Sequence, residues 1–183
     1  LGIAGGIPFA PLAVLWVNFL VQVPIAIALG FDKPSPGLME NKPRPLKQPV
    51  LSRMQWLRIV FLGTIMAAGT LLVEAYYERI DAVLASTMAL TAFSLFSIAI
   101  GLSARSETQT VLNRDILADR RQVEIYGLTL ILVFIATELH FLQRILGTTP
   151  LSSDQWLLCF GVAFTLLLID ESIKFVMRRR RAS

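Results

Sequence analysis

Not one Asp, Glu, Lys, Arg or His occurs between Leu1 and Phe31. That stretch is longer than the roughly 20 residues a helix needs to cross a bilayer. Four further apolar blocks follow. The second lies between Arg58 and Glu74, with Trp56 before it and Tyr76 and Tyr77 after. The third runs from Ala82 to Ala104 without a charge. The fourth begins near Ile125 and contains Glu138 and His140, and the fifth begins near Trp156 and carries Asp170, Glu171 and Lys174 in its last turns. Hydrocarbon offers no partner to open backbone groups, so each block is expected to be a helix. Composition agrees: 55% of the chain is hydrophobic and 16% charged, against about 45–50% and 25% in a soluble domain. The sequence predicts an all-α membrane protein, a five-helix transmembrane bundle. Its spans are expected near residues 9–29, 56–77, 82–104, 125–146 and 156–177, with a link over 32–55. The single Cys159 excludes a disulfide scaffold, and the apolar content excludes a disordered chain.

The 17 basic residues orient the bundle. In chain order the segment before the first span and the five that follow it carry 0, 6, 1, 4, 1 and 5 of them. Cytoplasmic segments collect Lys and Arg, so the N-terminus is expected outside and the C-terminus in the cytoplasm. The run Arg178–Arg181 then reads as a stop-transfer and headgroup anchor, with no nucleic acid needed to explain the basic balance. The partner implied is the lipid bilayer, and the expected location is multi-pass integral in a plasma or cell membrane. Cysteine labelling in sealed vesicles checks this: Asn113 is expected on the cytoplasmic face and Thr149 on the outer one. Equal labelling of both from outside would overturn the five-span topology.

Smaller signals refine the picture. Trp56, Trp156, Tyr76, Tyr77 and Tyr126 fall at expected helix ends, where amphipathic rings sit at headgroup level. Gly63 and Ala67, and Gly161 and Thr165, are four apart, a spacing that lets helices approach closely. Five of the nine prolines crowd the link over 32–55. Proline fixes φ and removes a donor, so the link is expected to be stiff and extended, either a spacer or a docking strap for another domain.

No phosphate-binding glycine loop and no metal-type Cys/His cluster is present. Chemistry therefore falls to polar groups inside the spans. Asn18 and Gln22 lie four apart on one helix face, and each offers a carbonyl oxygen able to coordinate a hard cation. Pro24 frees a backbone carbonyl nearby, a device that membrane ion sites use. An interhelical hydrogen-bond pair is the competing reading of the two amides. Thr91, Ser94 and Ser97 either face a polar cavity or bond back to their own helix. Asp170, Glu171 and Lys174 read as a local ion pair able to snorkel. Glu138 reads either as an interface group reaching His140 or Arg144, or as a buried acid that exchanges protons. Cys159 reads as a small apolar core residue.

The run PLAVLWVN from Pro11 to Asn18, followed by ALGF at Ala28–Phe31, resembles the sixth membrane helix of P-type cation-transporting ATPases, the sarco/endoplasmic-reticulum-type calcium pumps above all. Pro34, Leu38–Met39 and Lys42-Pro43-Arg44 resemble the loop after it. TMAL at Thr87–Leu90 with Ser106–Glu107 resembles the eighth helix and the turn beyond. LHFL at Leu139–Leu142, Gln155–Trp156, Asp170–Glu171 and Lys174–Phe175 resemble the ninth and tenth. The resemblance covers nearly the whole chain in order and implies helices six to ten of a ten-helix pump.

It further implies ATP-driven cation transport through an aspartyl phosphate. The D-K-T-G-T phosphorylation motif is absent from this sequence, so ATP and Mg2+ are implied for the complete pump and none is expected on this chain. The partners implied are the N-terminal part of the pump and the transported cation. A non-catalytic membrane scaffold, or half of a secondary transporter, is the alternative. In the reticulum pumps the sixth helix supplies Asn-x-x-Thr-Asp ligands; the matching positions here are Asn18, Val21 and Gln22. The liganding Glu of their eighth helix is matched by Ser97. The resemblance thus implies an ion path through Asn18, Gln22 and Ser97 with fewer carboxylates, Asn18 being the one retained metal ligand. Glu138, which the family pattern leaves unexplained, is the acid that would partly offset the loss. The basic residues Lys42, Arg44 and Lys47 are implied as a coupling loop that approaches the phosphorylation domain.

Overall fold

The computed structural model describes residues 9–31, 51–104 and 120–182, with side chains as far as Val176. The coupling-loop residues Lys42, Arg44 and Lys47 lie outside the described residues. The described elements are α1 (Pro11–Gly30), α2 (Arg53–Glu78), α3 (Ala82–Ala104), α4 (Arg120–Glu138), α5 (His140–Leu146) and α6 (Ser153–Ala182). No strand occurs among the described residues. Helices α1, α2, α3 and α6 are each long and apolar enough to span a membrane, and α4 with α5 forms a bent pair that passes the same test only when taken together, as a broken span or a re-entrant loop. The all-α membrane bundle expected from the sequence is what forms.

Local chemistry sets the helix starts. Ser52 caps α2 reciprocally with Gln55: the Gln55 N–H donates to Ser52 Oγ at 3.2 Å, and the Ser52 N–H donates to Gln55 Oε1 at 2.5 Å. Ser152 and Gln155 repeat the box before α6. Asp81 caps α3 by accepting the Leu84 N–H at 2.8 Å. Each cap satisfies amide donors that the first turn of a helix leaves open.

Helix α3 is the centre of the bundle, with 67% of its span buried against 17–28% for the other three continuous spans. It packs against α2, α6, α4 and α1. Its small residues Ala85, Ala89, Ala92 and Ala99 permit that crowding. Its hydroxyls bond inward to their own helix: Thr91 Oγ1 donates to the Thr87 carbonyl at 2.8 Å, Ser94 Oγ to Leu90 at 2.8 Å, and Ser97 Oγ to Phe93 at 2.9 Å. Around α3 the outer surface is apolar, with Leu57, Leu72, Phe141 and Leu157 all more than two-thirds exposed at 67, 70, 73 and 68%. Such a surface belongs in lipid.

The glycines that allow close approach differ from those expected. A Cβ on Gly63 or Gly161 would meet nothing within 4 Å. One on Gly69 would lie 2.8 Å from Phe96 Cζ of α3, and one on Gly101 would collide with Ile25 Cγ2 of α1. Two of the aromatics expected at helix ends make protein contacts there: Tyr126 is buried beside Gly101, and Trp156 stacks at an angle on Phe134 and Phe160.

The fourth span departs most from expectation. Instead of one helix over 125–146, α4 ends at Glu138 and α5 leaves at 83° to it. The break is at Leu139, whose ψ of 115° is extended. It frees carbonyls that lipid cannot satisfy, and side chains supply the donors. Thr148 Oγ1 donates to the Ala136 carbonyl at 2.6 Å, and Gln143 Nε2 donates to that of Thr137 at 2.6 Å. Gly147 at φ 67° closes α5 in the left-handed region that glycine tolerates best.

Candidate functional site: a widened first span and a buried charge cluster

The buried stripe of α1 is Ala13, Val17, Val21, Ile25 and Ala28. Within it the helix widens over Val17–Gln22 into a π-turn, the Val23 N–H reaching back five residues to the Asn18 carbonyl. Pro24 supplies the cause, since its ring crowds the carbonyl four residues before it and its nitrogen has no hydrogen to donate. Widening the preceding turn relieves the clash, and such bulges recur at functional sites. The two amides sit on the flank beside the stripe, Asn18 exposed and Gln22 half-buried. Among the described residues nothing else covers that flank at Asn18.

Ser97 is half-buried on α3. Helices α1 and α3 run side by side, and Gly101 abuts Ile25. One turn back along both helices brings Ser97 to the level of Val21 and Gln22. Glu138 lies elsewhere. It is the last residue of α4, half-buried, and α5 just beyond it packs on α1 between Pro11 and Trp16. Glu138 is therefore a helix-end group near the start of the first span, away from the level of Gln22. It forms no ion pair with His140 or Arg144, both exposed. Among the described residues no three His, Cys, Asp or Glu side chains gather to hold a metal ion.

The strongest electrostatic feature escaped the sequence reading. Asp170 and Lys174 do not snorkel: Lys174 is 1% exposed and Asp170 2%. Asp170 of α6 instead meets Arg58 of α2 in a two-pronged pair, Nε to Oδ1 at 2.7 Å and Nη2 to Oδ2 at 2.8 Å. The Ser103 hydroxyl of α3 donates to Asp170 Oδ2, and Lys174 Nζ donates to the Ser103 carbonyl at 2.8 Å. Lys174 also stands 3.6 Å from Asp170 and 3.7 Å from Glu171. Two cations and two carboxylates thus tie three helices together at one end of the bundle. The ammonium lies at the C-terminus of α3, where the helix dipole favours a cation. Beside the cluster an apolar cavity of about 430 Å³ opens among Leu62, Gly63, Ala99, Ile100 and Leu166. In this set each buried charge already has a partner of opposite sign within the bundle.

A family model described as "Cation transporting ATPase, C-terminus" matches residues 6–176. The chain belongs to the cation-transporting ATPase C-terminal family. It is similar to calcium-transporting ATPase 1 of Yarrowia lipolytica, with 26% identity over 94% of this chain and 19% of that protein. It is also similar to calcium-transporting ATPase type 2C member 2 of Rattus norvegicus, with 27% identity over 91% of this chain and 18% of that protein. The chain thus spans about a fifth of the length of these relatives. Membership in this family agrees with the resemblance read from the first span and makes the helix bundle an integral membrane segment.

Proposed function

We propose that this chain is the C-terminal part of the membrane domain of an ATP-driven cation pump, and that α1 contributes Asn18 and Gln22 to its ion path. The observation that carries the reading is the amide pair beside the π-turn, on a flank of α1 that the other helices here do not cover at Asn18. A primary amide left without partners in an apolar medium costs about 1–3 kcal/mol. Further helices of the complete protein would cover the flank and supply the missing oxygens. Ser97, at the level of Gln22, belongs to the same path, and Glu138 to its outer end. ATP and Mg2+ would act on the part of the pump outside this chain, with Lys42, Arg44 and Lys47 transmitting the coupling. Calcium is the cation that the names of both relatives favour, and its 6–8 oxygen ligands fit a site shared between this chain and other helices.

The test is cation-dependent ATP hydrolysis by the complete pump. Asn18→Ala removes one carbonyl ligand, about 1–1.5 kcal/mol of cation binding, and is expected to raise the half-saturating cation concentration about tenfold. Gln22→Asp is expected to lower it for divalent ions. Wild-type cation dependence in both variants would remove α1 from the ion path.

A further inference from the structure

Glu74 lies one turn before the C-terminal end of α2 and is 0% exposed. Neither of its carboxyl oxygens has a hydrogen-bond partner. Thr70, one turn earlier on the same face, is also buried, and its hydroxyl is likewise unbonded. That sets it apart. Thr87, Thr91, Ser94 and Thr129 are equally buried, and each donates to its own helix at 2.8 Å. One turn beyond Glu74, the half-buried Glu78 lines a cavity of about 400 Å³ together with Ser86, Leu90 and Thr148. Thr70, Glu74 and Glu78 therefore form a ladder on one helix face, with steps of about 6 Å, running from a cavity into the core.

We propose that Glu74 and Thr70 are a proton-binding site inside the bundle and that Glu78 is its inlet. The enclosing atoms all belong to this chain, so a helix from elsewhere in the protein has no room to supply a cationic partner. Helix α3 has no acidic or basic residue along its whole length. On α6 the titratable groups at this end are Asp154 and Cys159, which flank Tyr77 of α2. The charged group nearest in sequence is Glu78, of the same sign. An ionised carboxylate there would stand uncompensated in an apolar interior, which only a proton can neutralise. Exchange is a transfer between two carboxyls: the O–H of protonated Glu78 breaks, and an O–H forms on a Glu74 oxygen. Thr70 Oγ1, one turn earlier on the same face, is the hydroxyl that a side-chain rotation of the neutral acid would reach.

Infrared spectroscopy of the complete membrane protein in liposomes tests this without requiring transport, so its outcome is separate from the pump reading above. At neutral pH the wild-type-minus-variant spectrum is expected to show the carbonyl stretch of a protonated carboxyl, lost in Glu74→Gln, which keeps shape and neutrality. Glu74→Asp, expected to shift that stretch rather than abolish it, serves if the glutamine variant fails to assemble. Glu78→Gln is expected to retain the band but slow its hydrogen–deuterium exchange about tenfold, a barrier increase of about 1.4 kcal/mol. A spectrum unchanged by both Glu74 substitutions would overturn the site. Wild-type exchange in Glu78→Gln would overturn the inlet.

Discussion

Arg58→Ala is expected to be the most damaging single substitution in this bundle. The four charges at the α2–α3–α6 junction balance, and Asp170 holds both prongs of the guanidinium at 2.7 and 2.8 Å. Removing Arg58 leaves a net negative charge in a site where Asp170 is 2% exposed. Breaking a buried pair from one side costs about 3–5 kcal/mol. Lys174, 3.6 Å from Asp170, offsets part of the loss. The thermal midpoint of the purified protein in detergent should fall on the order of 10 °C. Replacing the pair together, Arg58→Met with Asp170→Leu, leaves Lys174 and Glu171 balanced and should restore most of the loss. A midpoint within a degree or two of wild type for Arg58→Ala would show that the cluster does not hold the helices together.

Gly101→Leu should separate α1 from α3. A Cβ alone at that position collides with Ile25 Cγ2, and Tyr126 lies 3.4 Å away on the other side. Ile25 is buried, and a β-branched side chain is stiff at χ1, so its methyl retreats only at a cost. Overpacking of this kind costs about 1–3 kcal/mol, and a bulky branched group belongs at the upper end. Because the Gly101–Ile25 contact sets the level of Ser97 against Gln22, cation dependence of the complete pump should change along with stability. The control is Gly63→Leu, where a Cβ meets nothing within 4 Å; it should leave both unaltered. Equal behaviour of the two variants would contradict the packing of α1 on α3.

The helical membrane class was legible because a charge-free run of membrane length has one stable solution in lipid, a helix. The third block shows this best: 82–104, bounded by Asp81 and Arg105, is the helix observed. Helix caps are as local, since a cap depends only on residues within one turn, but the sequence reading missed them: α2 and α6 begin at Arg53 and Ser153, three residues before the expected 56 and 156, on Ser52 with Gln55 and Ser152 with Gln155. Family membership followed from ordered short motifs for a similar reason: they are contiguous in the chain. The break at Leu139 had no such signal. Nothing before Glu138 forbids a straight helix, and the bend is stabilised by Thr148 and Gln143 reaching back to carbonyls at 136 and 137.

What the sequence determined alone was therefore everything set by one stretch of chain against its solvent: helical class, caps, and the widening that Pro24 imposes on α1. The tertiary structure decided everything that needs two helices to meet. It chose Gly69 and Gly101 over Gly63 and Gly161 as the close contacts, because a glycine matters only where another side chain arrives. It buried the local pair of Asp170 with Lys174 and added to it Arg58, 112 positions earlier in the chain. It also closed Glu74 inside the bundle without a partner, although in the linear sequence that residue was only the end of an apolar block. Burial is a property of neighbours, and neighbours across a helix interface leave no mark at a fixed spacing in the chain.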